Sequence, residues 1–352
     1  MDKSTLQTII GLGCMAPSGD NSQPWRFEVK GDTLKIFNLP NKDNPIYNFK
    51  QRGSLMAHGA LLENIDIASS SFGYKTICNL LPDNSNANLV AQVTFEKSNI
   101  ATSPLYGFIE KRSTNRKPYK NYPLLDKEVQ SLLSINNDKF GSKFILSEDE
   151  NIKKKIAKAV STNEFIALET KPLHNIFFAD INWTEEQEQS KKTGLYIKTL
   201  ELPPPGRFMF KLARNWPVVN KLNKVGFSRL ASKGNEQVYS TGSAIGIIVT
   251  RGGNASDFVN AGRLMQKAWL TATSLGLSVQ PVAGMLFLAQ RVIEKEAEPL
   301  SEKNAELVKK SYNEIRELFN IKEGTISMLL RIGYGGEPTA KSLRKNPEIK
   351  FV

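Results

Sequence analysis

Pro17-Ser18-Gly19-Asp20-Asn21-Ser22-Gln23-Pro24-Trp25 is the stretch on which the reading of this 352-residue chain turns. Two prolines bracket a run too polar for a core strand and too broken for a helix. At Gly19 no Cβ stands between the backbone and a ligand, and Ser18 adds a small hydroxyl. Asn21 and Gln23 carry amides suited to the edge of a planar heterocycle. A plainer reading fits the same residues: a loop closed by Asx turns, with Trp25 anchored in a core. The residues alone leave both open.

Working outward, residues 1–15 read as a short helix. Strands at 26–30 and 33–37 form a hairpin around Gly31-Asp32. Helical spacing of Leu55, Leu62, Ile65 and Ala68 predicts a helix over 55–72 that stops at Gly73. An alternating strand at 89–95 closes a first unit, and 98–104 reads as a linker. Beyond it come helices at 105–111, at 126–133 with Asp126 as N-cap, and at 148–160, with a strand at 144–146. A strand at 244–250, a helix at 257–275, a turn over 276–284, a helix at 301–318 and a strand at 326–333 complete the second unit. The alternation is too irregular for a doubly wound sheet, so the fold class is α+β. The units rhyme, since each has a long helix ending in a glycine turn, Phe72-Gly73-Tyr74 and Leu275-Gly276-Leu277.

Residues 182–237 break the pattern. They hold Pro203-Pro204-Pro205-Gly206, the large apolar side chains Trp183, Tyr196, Phe208, Phe210 and Trp216, and the cations Arg207, Lys211 and Arg214. Such a stretch reads as a lid over a ligand, with a peripheral helical hairpin as the alternative.

The net charge of +12 favours anionic partners, but the basic residues do not gather into an arm interleaved with aromatics, so nucleic acid is not expected. Cys14 and Cys78 are the only cysteines, and His58 and His174 the only histidines, which argues against a disulfide framework or a zinc or iron centre. The most apolar run, 244–249, is far short of a bilayer span, so no membrane partner is expected and the cytoplasm is the default.

Three further segments carry candidate chemistry. Arg112-Ser113-Thr114-Asn115-Arg116 offers two guanidinium groups and two hydroxyls, a set able to hold a phosphate monoester or simply to solvate a helix end. The tail Lys341-Ser342-Leu343-Arg344-Lys345 has the same two readings. In Gln280-Pro281-Val282-Ala283-Gly284, backbone N–H groups are free for a ligand unless the segment is a plain connection. No P-loop, dinucleotide glycine fingerprint or nucleophile–base pair is present.

Together these segments resemble the nitroreductase superfamily of FMN-dependent oxidoreductases. The family's Pro-Ser-x-x-Asn-x-Gln-Pro-Trp loop is matched by residues 17–25, its Arg-x-Ser-x-Arg/Lys phosphate motif by 112–116 with Thr114 at the hydroxyl position, and its Pro-x-x-Gly turn by 281–284. Lys341 and Arg344 stand where the family closes the phosphate site with cations, and Asn163 matches a flavin-contacting asparagine more loosely. The order departs from the family: the loop comes first and the phosphate motif second, each in one copy. In the family's homodimers, the loop of one subunit completes the flavin site of its partner. The resemblance therefore implies two fused half-domains forming a pseudo-dimer, each with a central, mostly antiparallel sheet and helices. That arrangement resembles the tandem, dormancy-associated nitroreductase-like subgroup.

The implied units are 1–100, carrying the flavin-edge loop, and 101–352, carrying the phosphate and N5 side with the insertion at 182–237. The implied cofactor site is Pro17, Ser18, Gly19, Asn21, Arg112, Ser113, Thr114, Arg116, Asn163, Pro281, Val282, Ala283, Gly284, Lys341 and Arg344. FMN is the expected cofactor, NADH or NADPH the electron donor, and a small molecule the acceptor. No side chain is expected to be catalytic, because the flavin N5 does the chemistry. An FMN store with little reductase activity is the competing reading, and a fold that has lost its flavin a third. The expected state is a pseudo-dimeric monomer, open to further homodimerisation.

Overall fold

The computed structural model describes residues 1–136 and 140–352. Helix α1 (Lys3–Gly13) starts at Asp2, whose carboxylate accepts from the Thr5 N–H at 2.8 Å. Strands β1 (Trp25–Lys30) and β2 (Thr33–Asn38) form the expected hairpin, in register from Trp25 opposite Asn38 to Lys30 opposite Thr33. After α2 (Arg52–Ser71) come β3 (Tyr74–Leu80) and β4 (Leu89–Lys97). Next are α3 (Asp126–Leu133), β5 (Ser142–Ser147), α4 (Glu150–Val160), α5 (Thr162–Glu169) and α6 (Lys171–Ala179). The insertion holds β6 (Ile181–Asn182), α7 (Glu185–Lys191), β7 (Leu195–Tyr196), α8 (Pro204–Ala213), α9 (Trp216–Asn223) and α10 (Phe227–Tyr239). The chain ends with β8 (Ala244–Thr250), α11 (Ala255–Ser274), β9 (Ser278–Val282), α12 (Gly284–Ile293), α13 (Glu302–Leu318), β10 (Thr325–Gly333) and β11 (Ile349–Phe351).

These strands make two main sheets, ordered β11-β1-β2-β4-β3 and β5-β8-β10-β9. All neighbours are antiparallel except β11, which comes from the far end of the chain and runs parallel to β1, with Phe27 opposite Ile349. The architecture is α+β. In β8 every residue is buried, because the second sheet is covered on both faces. The β8 side chains Ala244 and Ile248 join the core around α2 and α11, while Ile245, Ile247 and Val249 face the core of α4, α5, α12 and α13.

Helices α2 and α11 cross between the sheets, and glycines set the crossing. A Cβ on Gly59 would lie 1.9 Å from the Val259 carbonyl oxygen, and one on Gly262 would lie 2.0 Å from that of Met56. Only glycine permits so close a backbone approach. Both helices have 20 residues, and aligning Gly59 with Gly262 brings their ends into step. The same alignment brings Gly73 onto Gly276, each left-handed at the turn that follows. Beside the contact, Arg263 bridges Glu63 at 2.9 Å and Asp66 at 3.0 Å, and Gln266 donates to Asn64 at 2.7 Å.

Several expectations need correction. The helix at 105–111 is only a 3-10 turn, Tyr106–Phe108, because the chain must bend back toward β9. Asp126 is the first helical residue of α3 rather than its cap, and the Leu125 N–H is satisfied by Glu128 at 2.8 Å. The 276–284 segment is not a plain turn: its middle is β9, hydrogen-bonded to β10, and a helix begins at Gly284. Strand β3, absent from the sequence reading, is an edge strand in which half-buried and exposed residues alternate and none is fully buried, while Lys75-Thr76 and Ile77-Cys78 break any polar–apolar alternation.

Candidate functional site

The loop at 17–24 is held in a conformation that costs backbone energy. Asp20, Asn21 and Gln23 all have positive φ, at 44°, 56° and 50°. Ser18 Oγ accepts from the Gln23 N–H at 3.0 Å, closing the loop. A Cβ on Gly19 would stand 3.0 Å from the Asp43 carboxylate. The amides of Asn21 and Gln23 do not point free toward a ligand. Asn21 Nδ2 donates to the carbonyls of Leu343 (3.0 Å) and Lys192 (3.3 Å), and Gln23 Nε2 donates to Lys192 at 2.6 Å. Gln23 Oε1 accepts from the Lys345 N–H at 2.9 Å. The loop is therefore stitched both to the insertion and to the C-terminal tail.

The tail lies beside the 112–116 motif. Arg112 is buried, stacks on the Trp269 ring at 4.4 Å and donates from Nη2 to the Met15 carbonyl at 3.2 Å. Burial, and then the Arg344 charge, bring its guanidinium down to about 9. Burial likewise lowers Arg344 to about 10. The Nε of each is buried without a partner. No ion pair forms at either guanidinium among the described residues. The Arg344 charge depresses Arg112, the Glu188 charge partly offsets burial at Arg344, and the two unpartnered Nε groups remain open to an anion. Arg116 donates to the Thr199 carbonyl at 3.0 Å. Thr114 bridges Val279 of β9, the Asn115 N–H donates to the Val279 carbonyl at 3.0 Å, and Ser113 is half-buried between them and Arg112 in sequence. Lys341 is exposed, its Nζ 3.5 Å from the Lys111 carbonyl.

A third group forms where α5 meets α12. Asn163 Oδ1 accepts from the Tyr47 hydroxyl at 3.0 Å. The Asn163 amide lies 2.7–2.9 Å from the place a Gly284 Cβ would occupy, so the glycine is needed to seat the asparagine. Pro281 and Val282 are held in β9 opposite Leu330 and Leu329, and Ala283 is the cap residue of α12. The loosely matched Asn163 thus adjoins the Pro-x-x-Gly segment.

The sequence reading missed Asp43, Asn44, Tyr47, Glu164, Asp180 and Tyr239. Glu164 Oε1 accepts from the Tyr239 hydroxyl at 2.7 Å while Oε2 has no partner, and burial raises the acid to about 7. Burial, then Asp20 and Asp180 nearby, raise Asp43 to about 7. Burial and then Asp180 raise Asp20 to about 6, against the pull of Arg116. Asp20, Tyr47, Arg116, Glu164, Tyr239 and Arg344 are all perturbed by burial, yet all keep part of their surface accessible. Asp20 feels the charge of Arg116, Tyr47 those of Glu164 and Asp20, and Arg116 that of Tyr239, so these five partly accessible groups lie together at one recess. Its neighbour is a cavity of about 110 Å³ bordered by Asp20, Asp43, Asn44 and Asp180.

The insertion differs from expectation. Trp183, Phe210 and Trp216 pack with Phe177, Phe178 and His174 into a core of their own, and Arg214 lies 5.5 Å over Trp183. Tyr196 is buried in a neighbouring cluster, and Phe208 points outward, 63% exposed. Aromatic side chains satisfied by one another are not the ones that cover the recess. The backbone at 192–199 lies against it instead. Glu188 and Glu201 tie this segment to the tail, accepting from the N–H groups of Leu343 (2.7 Å) and Thr339 (2.6 Å). Among the described residues no group of acids, cysteines and histidines is arranged to hold a metal ion.

No family model matches the chain. An uncharacterized protein of Mycobacterium tuberculosis is 24% identical over 348 residues, 97% of this chain and 47% of its own length. A second protein of that organism, named "Putative NAD(P)H nitroreductase", is 27% identical over 35% of this chain and 36% of its own. The chain thus spans less than half the length of these two relatives. A third, carrying the same name with the suffix acg, is 21% identical over 78% of both chains. The chain is thus similar, at 21–27% identity, to proteins named as putative NAD(P)H nitroreductases.

Proposed function

We propose that the chain binds FMN and works as an NAD(P)H-dependent oxidoreductase of the nitroreductase type, its two halves acting as a tandem pseudo-dimer around one flavin. The observation that carries this reading is the pair Arg112 and Arg344, each with a buried Nε lacking a partner. A phosphate monoester would satisfy both, and Arg116, Ser113, Thr114 and Lys341 are near enough in the chain to join them. Pro17, Ser18, Gly19 and Asn21 would border one edge of the ring system. Asn163 and the backbone of Pro281, Val282, Ala283 and Gly284 would border the other. Bound FMN would supply two-electron redox chemistry through its N5. The protein's part is to hold the ring, exclude water and keep beside it carboxyls such as Glu164, which burial raises to about 7.

One observation favours the storage reading. The hydrogen bonds from Asn21 and Gln23 to Lys192, and from Arg116 to Thr199, hold the insertion shut against the loop and the phosphate motif. A closed cover of this kind would slow exchange of nicotinamide and acceptor. The test begins with the absorbance spectrum of the purified protein and the cofactor released on denaturation. One FMN per chain is expected, and a colourless protein that takes up no added FMN would refute the proposal. Stopped-flow mixing with excess NADH or NADPH then separates reductase from store: rapid bleaching supports the enzyme, and bleaching over minutes supports the store.

A further inference from the structure

Helices α8, α9 and the start of α10 turn their inner side chains, Ala213, Val219, Phe210, Trp216 and Phe227, into one shared cluster. Their outer faces therefore look away from the same core. On those faces Phe208 (63%), Leu212 (42%), Val218 (37%), Val225 (83%) and Leu230 (72%) are exposed. The stretch 202–235 has seven Lys or Arg residues and no Asp or Glu. All seven cations are exposed, and only Lys233 is ion-paired, to Glu236, among the described residues. A scattered exposed leucine needs no explanation. A set of large apolar side chains interleaved with unpaired cations on consecutive short helices does.

We propose that this outer face of the insertion docks on an anionic lipid bilayer, with Phe208, Val225 and Leu230 entering the headgroup boundary and the surrounding lysines and arginines meeting lipid phosphates and carboxylates. Charge complementarity selects the occupant. A second copy of the chain would bring the same positive face and be repelled, and a nucleic acid would leave the exposed apolar side chains without a role. Docking is peripheral, since no helix among the described residues is long and apolar enough to cross a membrane. The proposal departs from the expectation of no membrane partner, which rested on the lack of a spanning segment. It is independent of the flavin assignment.

The test is co-sedimentation of the full-length chain with vesicles of phosphatidylcholine containing about 30% phosphatidylserine, against pure phosphatidylcholine, at low and high salt. Binding is expected to the anionic vesicles only and to weaken with salt. Two variants dissect it, both at exposed positions outside the recess. Lys221→Gln with Lys224→Gln should weaken partitioning about fivefold per charge removed. Phe208→Ser with Leu230→Ser should weaken it about tenfold or more, through lost apolar burial. Absence of vesicle binding by the wild type overturns the proposal. So does anionic binding that the charge pair reduces and the apolar pair leaves unchanged, together with equal affinity for a short DNA duplex. A dimer in sedimentation velocity that Phe208→Ser with Leu230→Ser dissolves would assign the face to self-association and likewise overturn it.

Discussion

Replacing Arg112 by methionine should move stability and cofactor affinity in opposite directions. Arg112 is 7% exposed, and its guanidinium is brought well below its ordinary value, to about 9, by burial and by Arg344. It stays charged at neutral pH, and holding that charge costs the flavin-free fold about 4–5 kcal/mol. Against this stand the hydrogen bond to Met15 and the stack on Trp269, together about 1–3 kcal/mol. Methionine fills a similar volume and keeps the contact with the ring. The flavin-free variant should therefore unfold at higher urea than wild type, by a margin of about 1–4 kcal/mol. FMN binding should instead weaken by about a hundredfold, the loss of a charge-assisted contact to the phosphate. The assays are urea titration of flavin-free protein followed by circular dichroism, and quenching of FMN fluorescence on titration with protein. If the variant is less stable than wild type and binds FMN equally well, Arg112 is a structural cation and the phosphate assignment fails.

Three other outcomes follow from the geometry. Gly262→Ala places a Cβ 2.0 Å from the Met56 carbonyl oxygen, so α2 and α11 must separate by more than 1 Å, and the urea midpoint should fall by the equivalent of about 3 kcal/mol; an unchanged midpoint would mean the crossing adjusts freely. Asp43 and Glu164, raised to about 7, and Asp20, raised to about 6, hold protons that the unfolded chain has already lost. Their contribution is present in full below their ordinary values and is lost as pH rises through 7, so flavin-free protein should be more stable at acidic than at alkaline pH, with Asp43→Asn flattening the profile; a rise in stability from acid to neutral pH that Asp43→Asn leaves intact would contradict this. Glu201→Ala removes both hydrogen bonds to Thr339 that tie the insertion to the tail, and should speed FMN dissociation about tenfold or more; an unchanged dissociation rate would show that the segment is no cover.

What the sequence determined by itself was local. The hairpin around Gly31-Asp32, the long helices that became α2 and α11, and the buried strand β8 were legible because periodicity and turn chemistry act within a few residues. The motifs at 17–25 and 112–116 were legible as motifs, and their split order pointed to two halves. Helix α12 was not, since Pro281 and Gly284 read as loop punctuation until pairing with β10 carried the strand up to Val282. The helix proposed at 105–111 failed because its propensity lost to the path the chain takes toward β9. Only tertiary structure decided that Asn21 and Gln23 spend their amides on Lys192, Leu343 and Lys345, residues far away in the chain. It alone decided that Tyr47, Glu164 and Tyr239 meet at the recess, and that the insertion's aromatics pack on one another. A residue type carries its chemistry in the sequence, but burial and the charge of distant neighbours set whether that chemistry is spent on the fold or left free for a ligand. Arg112 and Arg344 show the difference: the sequence supplied two cations, and the fold buried each with an Nε that no partner satisfies.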